Sequence, residues 1–386
     1  MIPITRPALD EQEWQALREP LLNGWVVQGP RVQEFEARFG AFTGAPHCVA
    51  ASSCTTALHL AVAALGLGPG DEVLVPAFTW ISTANVVEYM GAKPVFVDTQ
   101  RDTFNIDPDA AAAAVTDRTV GLLPVHLFGL MADMRAVGAL AEEHGLWVLE
   151  DAACGFGAYQ DGRHAGTLGD VGAFSFHPRK SITTGEGGMA TTGDADLAHR
   201  MRVLRDHGAD RTDLERHTAS DGQLLPDYAV LGYNYRMTDL QAAVGCVQMG
   251  KAPDLLAERH RQAAVYDGML ADIPGIHVPV VPEGFVHGYQ TYVCRVEDPR
   301  DPDDVEAARR RRDALMAHLQ KEGVATRQGT HAAALQTYYR RRYGHAPGDF
   351  PEAHRAEQTS LALPLFPGLG DDDQRRIGRL IAEHRA

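Results

Sequence analysis

Apolar residues recur along the chain with two different periods, and the two periods predict different elements. Between about residue 46 and residue 192, short runs rich in Val, Leu and Phe are bounded by Gly, Pro or Asp, which is typical of buried strands. These runs are DEVLVPA near Val73, KPVFVD near Phe96, VGLLPVH near Leu122, LWVLED near Val148 and VGAFSF near Phe174. GMATTGD, from Gly188, predicts one further strand, which need not run parallel to the others.

Helical patterns lie between these strands. TTALHLAVAALGL, from Thr55, and MADMRAVGALAEEHG, from Met131, have apolar residues three and four positions apart, and both end near a glycine. Strands that alternate with such helices are typical of βαβ units around a mostly parallel sheet. We therefore expect an α/β domain with crossover helices.

The pattern changes after about residue 250. DDVEAARRRRDALMAHLQKEG and DDDQRRIGRLIAEHR each predict a helix, and the apolar positions of EQEWQALREPLL suit another helix ahead of the sheet. We predict a large domain over residues 21–250 and a smaller α+β domain made of residues 1–20 and 251–386. We expect the four arginines 309–312 to form a solvated helix face, with nucleic-acid binding as the alternative.

Composition and charge exclude several classes of protein. The 386 residues are 45% hydrophobic, which suffices for a large core divided between two lobes. The formal net charge of −15 argues against binding to nucleic acid or to acidic membranes, because phosphate groups require a basic surface. No stretch approaches 18 consecutive apolar residues, and the first residues lack the pattern of a signal peptide. We expect a cytoplasmic protein. The five scattered cysteines include no CxxC pair, so we expect neither a disulfide framework nor a metal site.

Lys180 is one of only four lysines in the chain. It follows FSFHPR at the end of a predicted strand and precedes SITTGEGG, whose glycines permit close approach of the backbone to a ligand. An amine there can form a Schiff base if desolvation and a neighbouring cation lower its pKa from about 10.4. The pyridinium of pyridoxal 5'-phosphate (PLP) is such a cation. The alternative is a surface lysine on a turn.

Asp151 ends a predicted buried strand in VLEDAACGFGA, at the sheet edge where α/β proteins bind ligands. An ionised carboxylate there suits the pyridine nitrogen of PLP, because it keeps the ring protonated and electron-withdrawing. Capping of the following turn is the alternative.

Small hydroxyl residues precede the helix that begins around Thr55, where backbone N–H groups and the helix dipole favour a phosphate. Thr55 and Thr56 are the best candidates for direct contact, and Ser175 can add a hydroxyl; an ordinary N-cap is the alternative. Trp80, just after the next strand, can stack on a pyridine ring, or can instead be a core or interface residue. Arg236 can bind an anion or pair with Asp239, and the sequence around it does not decide between these two roles.

Seven segments together resemble, in order and spacing, the DegT/DnrJ/EryC1/StrS family of PLP-dependent sugar aminotransferases, over nearly the whole chain. They are GWVVQGPRVQEFEARF, SSCTTALHL, PAFTWISTANVV, EDAACGFGA, FSFHPRKSITTGEGG, GYNYRMTDLQAA and LALPLFPGL. The resemblance implies the aspartate-aminotransferase-type fold (fold type I), with a large, mostly parallel seven-stranded sheet domain and a smaller α+β domain. It also implies a homodimer whose active sites lie at the subunit interface.

The resemblance assigns a role to each candidate. Lys180 is the PLP lysine, Asp151 faces the pyridine nitrogen, Trp80 stacks on the ring, and the phosphate is held by Thr55, Thr56, Ser175 and, from the partner subunit, the motif of Asn234. Two positions depart from the family pattern. Cys54 stands where glycine is common, and Cys154 stands where glutamine or histidine often contacts the cofactor's phenolic oxygen. A thiol forms only weak hydrogen bonds, so another group is expected to help hold that oxygen.

The implied reaction has two halves. L-Glutamate leaves its amino group on the cofactor as pyridoxamine 5'-phosphate (PMP), and a nucleotide-linked keto sugar then takes it, with Lys180 as general acid and base. ITTGEGG looks more like members that aminate C4 than like those that aminate C3. Glu186, Arg327 and His331 are expected to face the sugar or its pyrophosphate, with a solvated loop as the alternative. The segment around His331 lacks the proline-containing form expected of the family.

Three other functions compete with this interpretation. Members of the family that dehydrate sugars at C3 carry histidine in place of the catalytic lysine, and Lys180 argues against that reaction. A cyclitol aminotransferase that acts on a keto-inositol is chemically closer. A PLP-binding regulator is the non-enzymatic alternative, and we expect no DNA-binding appendage that would support it.

Overall fold

A seven-stranded sheet forms the centre of the computed structural model, which describes residues 1–211 and 226–384. In chain order the strands are β1 (His47–Ala51), β2 (Glu72–Pro76), β3 (Phe78–Thr79), β4 (Lys93–Val97), β5 (Thr119–Leu122), β6 (Trp147–Asp151), β7 (Tyr159–Gln160), β8 (Arg163–His164), β9 (Val171–Ser175), β10 (Gly188–Thr192), β11 (Ile276–His277), β12 (Phe285–Val286), β13 (Tyr292–Val296), β14 (His331–Ala332) and β15 (Ser360–Leu363). The large sheet has the order β1-β10-β9-β6-β5-β2-β4.

The pairs within this sheet are mostly parallel. β2 runs parallel to β4 and β5, β5 to β6, and β6 to β9, whereas β10 runs antiparallel to both β9 and β1. Every apolar run that predicts a strand forms one, and the run at Gly188 is the strand of reversed direction. β1 lies outside the predicted runs, because HCVAA is too rich in small side chains to be recognised. The predicted α/β fold is confirmed.

Helices cover both faces of the sheet. They are α1 (Glu11–Ala16), α2 (Arg18–Asn23), α3 (Pro30–Thr43), α4 (Cys54–Ala64), α5 (Ser82–Tyr89), α6 (Pro108–Ala113), α7 (Met134–His144), α8 (Ala195–Arg205), a long helix (Asp239–Leu270), and then Val305–Lys321, Thr337–Tyr343, Pro351–Thr359 and Asp371–Glu383. One core cluster contains residues of α4, α5 and α8, and a second contains residues of α3, α7 and the long helix. The sheet is therefore the middle of three layers.

A smaller sheet, β11-β13-β15, has its own core. That core includes Tyr292 of β13, Leu319 and Ile377 of the flanking helices, and Tyr266 of the long helix. The long helix therefore runs across residue 250, where the domain boundary is predicted, and contributes to both parts of the molecule. Ile2 pairs with Val324 beside this smaller core, which agrees with the placement of the first residues there. The division of the chain into two domains stays a prediction.

The arginine run 309–312 is only partly a solvated face. Arg312 is buried, and its guanidinium donates to the carbonyl oxygens of Glu357 at 3.2 Å and Ser360 at 3.1 Å. Arg311 donates to the carbonyl oxygen of Glu297 at 2.8 Å. The expectation of a fully solvated run is wrong for Arg312, because carbonyl acceptors at the end of the neighbouring helix replace its water.

The helices show no membrane-spanning candidate within residues 1–211 and 226–384. The longest, Asp239–Leu270, has 32 residues but carries charged side chains in its middle, among them Lys251, Asp254 and Glu258.

A buried carboxylate ties the central strands together. Glu150 of β6 is fully buried, and its Oε1 accepts the N–H groups of Leu168 at 2.7 Å and Gly169 at 2.6 Å. Its Oε2 accepts the Gly166 N–H at 2.7 Å and lies 2.7 Å from His126 Nε2. Burial alone would raise the pKa of Glu150, but these hydrogen bonds outweigh it and hold the pKa below the ordinary value of 4.5. The side chain thus anchors β6 to the segment that leads into β9.

We expect Glu150→Gln to lower the free energy of unfolding by roughly 3–5 kcal/mol, because the amide NH₂ group would meet donors instead of an acceptor. Glu143→Gln, on the exposed side of α7, is the matched control and should change stability by less than about 0.5 kcal/mol. Denaturant unfolding of both variants measures the difference.

The wild type should also lose stability as the pH falls below 4.5 and through the depressed pKa of Glu150, since protonation removes the acceptor. Equal stability of Glu150→Gln and the wild type at pH 7 would contradict this account.

Candidate active site

Lys180 lies in the loop between β9 and β10, and hydrogen bonds close the base of that loop. The carbonyl oxygen of Phe176 accepts from Thr184 N at 3.0 Å and from Thr183 Oγ1 at 2.8 Å. Gln248 Oε1, on the long helix, accepts the N–H of Thr183 at 3.3 Å. The Lys180 N–H itself donates to His177 O at 2.8 Å. The lysine is therefore carried by a braced loop that starts at the carboxyl end of β9.

The amine of Lys180 donates to Cys154 Sγ at 3.1 Å. Burial alone lowers the pKa of Lys180, but its hydrogen bond to Cys154 and the proximity of Cys54 and Asp151 raise it by more, so the pKa lies above the ordinary value of 10.5. The groups of the chain thus favour the ammonium form. The lowered pKa expected from the sequence depends on the cationic ring of the cofactor.

Asp151, at the end of β6, is buried and accepts two neutral donors. Thr83 Oγ1 donates to Oδ2 at 2.8 Å, and the Ala153 N–H donates to Oδ1 at 3.1 Å. Because a carboxylate only accepts, the Thr83 hydroxyl must receive its own hydrogen bond from Thr79 Oγ1, 3.0 Å away. Burial raises the pKa of Asp151, and the two donors oppose that rise. A cation at this carboxylate would stabilise its ionised form further.

The start of α4 supplies donors for an anion. Ser53 is the N-cap, and Thr56 completes a capping box with it, since Thr56 Oγ1 accepts the Ser53 N–H at 2.9 Å and donates to Ser53 O at 2.8 Å. Thr55 Oγ1 donates to Ser82 Oγ at 3.0 Å. The N–H groups of Cys54 and Thr55 belong to the first turn, where no helical carbonyl can accept them. The backbone here is the better phosphate donor, and direct contacts by Thr55 and Thr56 side chains stay predictions.

Trp80 and His331 meet at the mouth of the site. β3, which precedes Trp80, pairs with β14, so that His331 lies opposite Thr79. The two rings are 6.2 Å apart between centroids with an angle of 43° between their planes, and both side chains are about half exposed. The pairing joins two segments that are about 250 residues apart in the sequence, a contact that the sequence patterns do not predict.

The other predicted site residues are less closely connected. Ser175 Oγ accepts the His177 N–H at 3.4 Å. The exposed carboxylate of Glu186 lies 4.0 Å from His177 Nε2. Arg327 is exposed. Burial and the positive charge of Arg327 together lower the pKa of Arg179, the residue before Lys180. Asn234 is exposed on a segment that bridges to Asp206, and its contact with a second subunit stays a prediction.

Arg236 forms an ion pair with Asp206, and not with Asp239. Asp239 instead accepts the N–H groups of Gly29 at 2.8 Å and Val32 at 3.0 Å, and so caps the start of α3. The pairing of Arg236 with Asp239 is therefore wrong, because a helix start from a distant part of the chain claims that carboxylate.

Two residues of the site, Thr83 and Glu357, are not predicted by the sequence patterns. Thr83, in ISTAN after Trp80, contacts Asp151 across 68 positions, and Glu357 lies near His331. A threonine at the second position of a helix and a glutamate near the end of another carry no local signal. Only the packing of distant segments identifies them.

The arrangement fits PLP. Thr83 and Ala153 donate to Asp151 without carrying charge, so a protonated ring nitrogen would add a cationic donor to this buried carboxylate. The first turn of α4 offers N–H groups to a phosphate. The amine of Lys180 donates to the thiol of Cys154, a weak acceptor, and can be released to form a covalent bond. These three features lie at the carboxyl ends of β6 and β9 and at the start of α4.

Comparison with known proteins gives one consistent result. The profile of the DegT/DnrJ/EryC1/StrS aminotransferase family matches residues 7–382. The spore coat polysaccharide biosynthesis protein SpsC of Bacillus subtilis is 40% identical over 372 residues, which cover 96% of this chain and 94% of SpsC.

Solved structures agree over the whole fold. The putative sugar aminotransferase Spr1654 of Streptococcus pneumoniae, in its PMP form, has a TM-score of 0.92 at 29% identity and covers 99% of this chain and 98% of its own. DesV of S. venezuelae, in complex with a ketimine intermediate, has a TM-score of 0.87 at 34% identity and covers 97% of this chain and 95% of its own. Spr1654 has also been solved in a PLP form.

We expect Thr83→Val to weaken PLP binding by about tenfold or more, since a hydrogen bond to a charged group contributes roughly 1.5–3 kcal/mol. Without that donor the buried Asp151 is more easily protonated, and a neutral carboxyl group cannot pair with a cationic ring. Titration of the apoprotein with PLP, followed by absorbance, measures the affinity. Thr83→Ser keeps the hydroxyl and should restore it; unchanged affinity in Thr83→Val would show that the contact does not matter.

Proposed function

The chain belongs to the DegT/DnrJ/EryC1/StrS aminotransferase family, and from that premise we propose that it moves an amino group from L-glutamate to a nucleotide-linked keto-deoxysugar. It is a PLP-dependent sugar aminotransferase. The observation that carries the proposal is the placement of Lys180 and Asp151 at the carboxyl ends of neighbouring parallel strands. We propose C4 of a 4-keto-6-deoxyhexose as the acceptor position, because ITTGEGG after Lys180 resembles members that aminate C4.

The relatives support a sugar acceptor. SpsC takes part in spore coat polysaccharide biosynthesis, and Spr1654 is a putative sugar aminotransferase. Polysaccharides are assembled from activated sugars, which supports a nucleotide-linked substrate for this chain. Arg327, exposed near Arg179 in an acidic protein, is suited to the pyrophosphate of such a substrate.

We assign the chemistry to two residues. Lys180 would hold the cofactor through its amine and would move a proton at the α-carbon of the amino donor. Asp151 holds the ring nitrogen protonated, and Thr83 keeps that carboxylate ionised and in place. When bound, PLP withdraws electrons from the substrate carbon that gives up the proton.

Further residues hold the cofactor and the acceptor. We propose that the phosphate is bound by the start of α4 with Thr55, Thr56 and Ser175, and by Asn234 of a second subunit. Trp80 covers the ring, and its half-exposed indole leaves room for that contact. Cys154 contacts Lys180 and would help to hold the phenolic oxygen of the cofactor. Glu186 and His331 line the sugar side.

We propose that the enzyme is a homodimer with shared active sites. Apolar side chains more than half exposed cluster near the start of the chain, at Trp14, Leu21 and Leu22, and Leu231 lies beside the Asn234 motif. Exposed apolar surface of this kind is typical of a subunit interface.

Lys180→Ala should still bind PLP, but without a covalent bond that borohydride can reduce, because no other amine replaces the Schiff-base partner. Transamination should fall by about 10²–10⁴-fold or more, the usual effect of losing a general acid–base. Absorbance after borohydride treatment and a glutamate-dependent amination assay measure the two effects. Lys321→Ala, at the exposed end of its helix, is the control. A reducible bond that persists in Lys180→Ala would show that another residue holds the cofactor.

A panel of acceptors tests the substrate. The purified enzyme should aminate nucleotide-linked 4-keto-6-deoxyhexoses with L-glutamate as donor, and 3-keto isomers more slowly. Product analysis by mass spectrometry measures the transfer for each acceptor. Turnover with keto-inositols alone would replace the nucleotide-sugar proposal by a cyclitol aminotransferase.

A further inference from the structure

Glu357 occupies a distinctive position behind His331. It lies on the helix Pro351–Thr359 with its side chain mostly buried, and its Oε1 is 3.6 Å from His331 Nδ1. The same oxygen accepts the Ala332 N–H at 3.1 Å and Gln336 Nε2 at 3.0 Å. One carboxylate oxygen thus holds the backbone next to His331 and faces the imidazole itself.

The backbone of Glu357 is fixed as well. Its carbonyl oxygen accepts from the buried Arg312 at 3.2 Å. Because its backbone and its side chain are both fixed, Glu357 cannot move with the imidazole of His331. The position of the carboxylate therefore sets the orientation of the imidazole. His331 is held between Glu357 on one side and the Trp80 indole on the other.

The charges of Glu357 and His331 decide which kind of ligand His331 can bind. A carboxylate at Nδ1 cancels the charge of a protonated imidazole, and beside a neutral imidazole it leaves a net negative charge. Either state disfavours a phosphate or a second carboxylate at His331. The other ring nitrogen, Nε2, has no hydrogen-bond partner among residues 1–211 and 226–384, and can bond to an uncharged hydroxyl group.

We propose that Glu357 is a positioning residue for the acceptor, holding His331 beside Trp80 so that Nε2 binds a hydroxyl group of the keto sugar. This role rests on the proposed function, and it narrows the role of His331, which binds the sugar ring and not the pyrophosphate. L-Glutamate has no hydroxyl group. The interaction therefore serves one half of the reaction only.

Separate measurement of the two half-reactions tests the inference. In single turnovers of the holoenzyme, absorbance follows the change from the PLP to the PMP form with L-glutamate, and the return with the acceptor. Glu357→Gln keeps an oxygen for Ala332 and Gln336 but removes the charge that faces His331. We expect the acceptor half-reaction to lose on the order of tenfold in kcat/KM, while the glutamate half-reaction stays within about twofold.

Two further variants separate positioning from general stability. His331→Gln should show the same selective loss, and the double variant should lose no more than the larger single loss, since Glu357 acts through His331. Glu306→Gln, on an exposed ion pair with Arg309, is the control and should leave both half-reactions unchanged. Thermal unfolding and PLP absorbance should match the wild type in every variant.

The failures of the two proposals are distinguishable. Equal slowing of both half-reactions, no slowing of either, or additive losses in the double variant would overturn the role of Glu357 and leave the proposed function intact. Turnover with keto-inositols alone would overturn the nucleotide-sugar proposal, and the role of Glu357 would then be judged on that polyhydroxylated acceptor. A wild-type enzyme that aminates none of these acceptors would overturn both.

Discussion

The carboxylate of Glu150 is the interaction on which the geometry of the active site depends. Successive residues of a strand point to opposite faces of a sheet, so Glu150 and Asp151 lie back to back at the end of β6. On one face, Glu150 gathers three backbone N–H groups from residues 166–169 and the imidazole of His126. Because residues 166–169 lead directly into β9, the same carboxylate sets the start of the strand that ends beside Lys180. The hydrogen bonds of Glu150, on the opposite face of the sheet, thus help to set the distance between the Asp151 carboxylate and the Lys180 amine.

On the other face the protein buries a carboxylate and an amine whose charges attract each other. Within the described residues, the buried Asp151 accepts hydrogen bonds from two neutral donors, and Lys180 lies near two thiols and that carboxylate. Each group is costly to bury in this state. A cofactor with a cationic ring and a carbonyl group relieves both, because the ring pairs with the carboxylate and the carbonyl consumes the amine. The residues therefore favour binding of PLP for electrostatic reasons that are separate from its shape.

The sequence predicts the sheet well because buried parallel strands are continuous apolar runs. It makes Lys180 and Asp151 candidates because Asp151 ends such a run and Lys180 lies in the loop that follows another. What it misses is carried by long-range packing. Thr83 contacts Asp151 only because α5 packs near the end of β6. Asp239 accepts hydrogen bonds from the start of α3 and does not pair with Arg236. Arg312 is buried by a neighbouring helix end, although its local pattern is that of a solvated face. β1 is missed for a local reason, since small side chains in a strand resemble those of a turn or helix.

The candidate site residues come from two parts of the chain, which are joined by the short pairing of β14 with β3. The residues proposed to bind the cofactor include those at the ends of strands of the large sheet and at the start of α4, whereas His331 and Glu357 come from a later stretch of the chain that pairs with β3. Substitutions in that later stretch need not disturb the buried network under β6. The fold therefore allows acceptor preference to diverge, in evolution or in protein engineering, while the amino-transfer chemistry and its structural support are inherited unchanged.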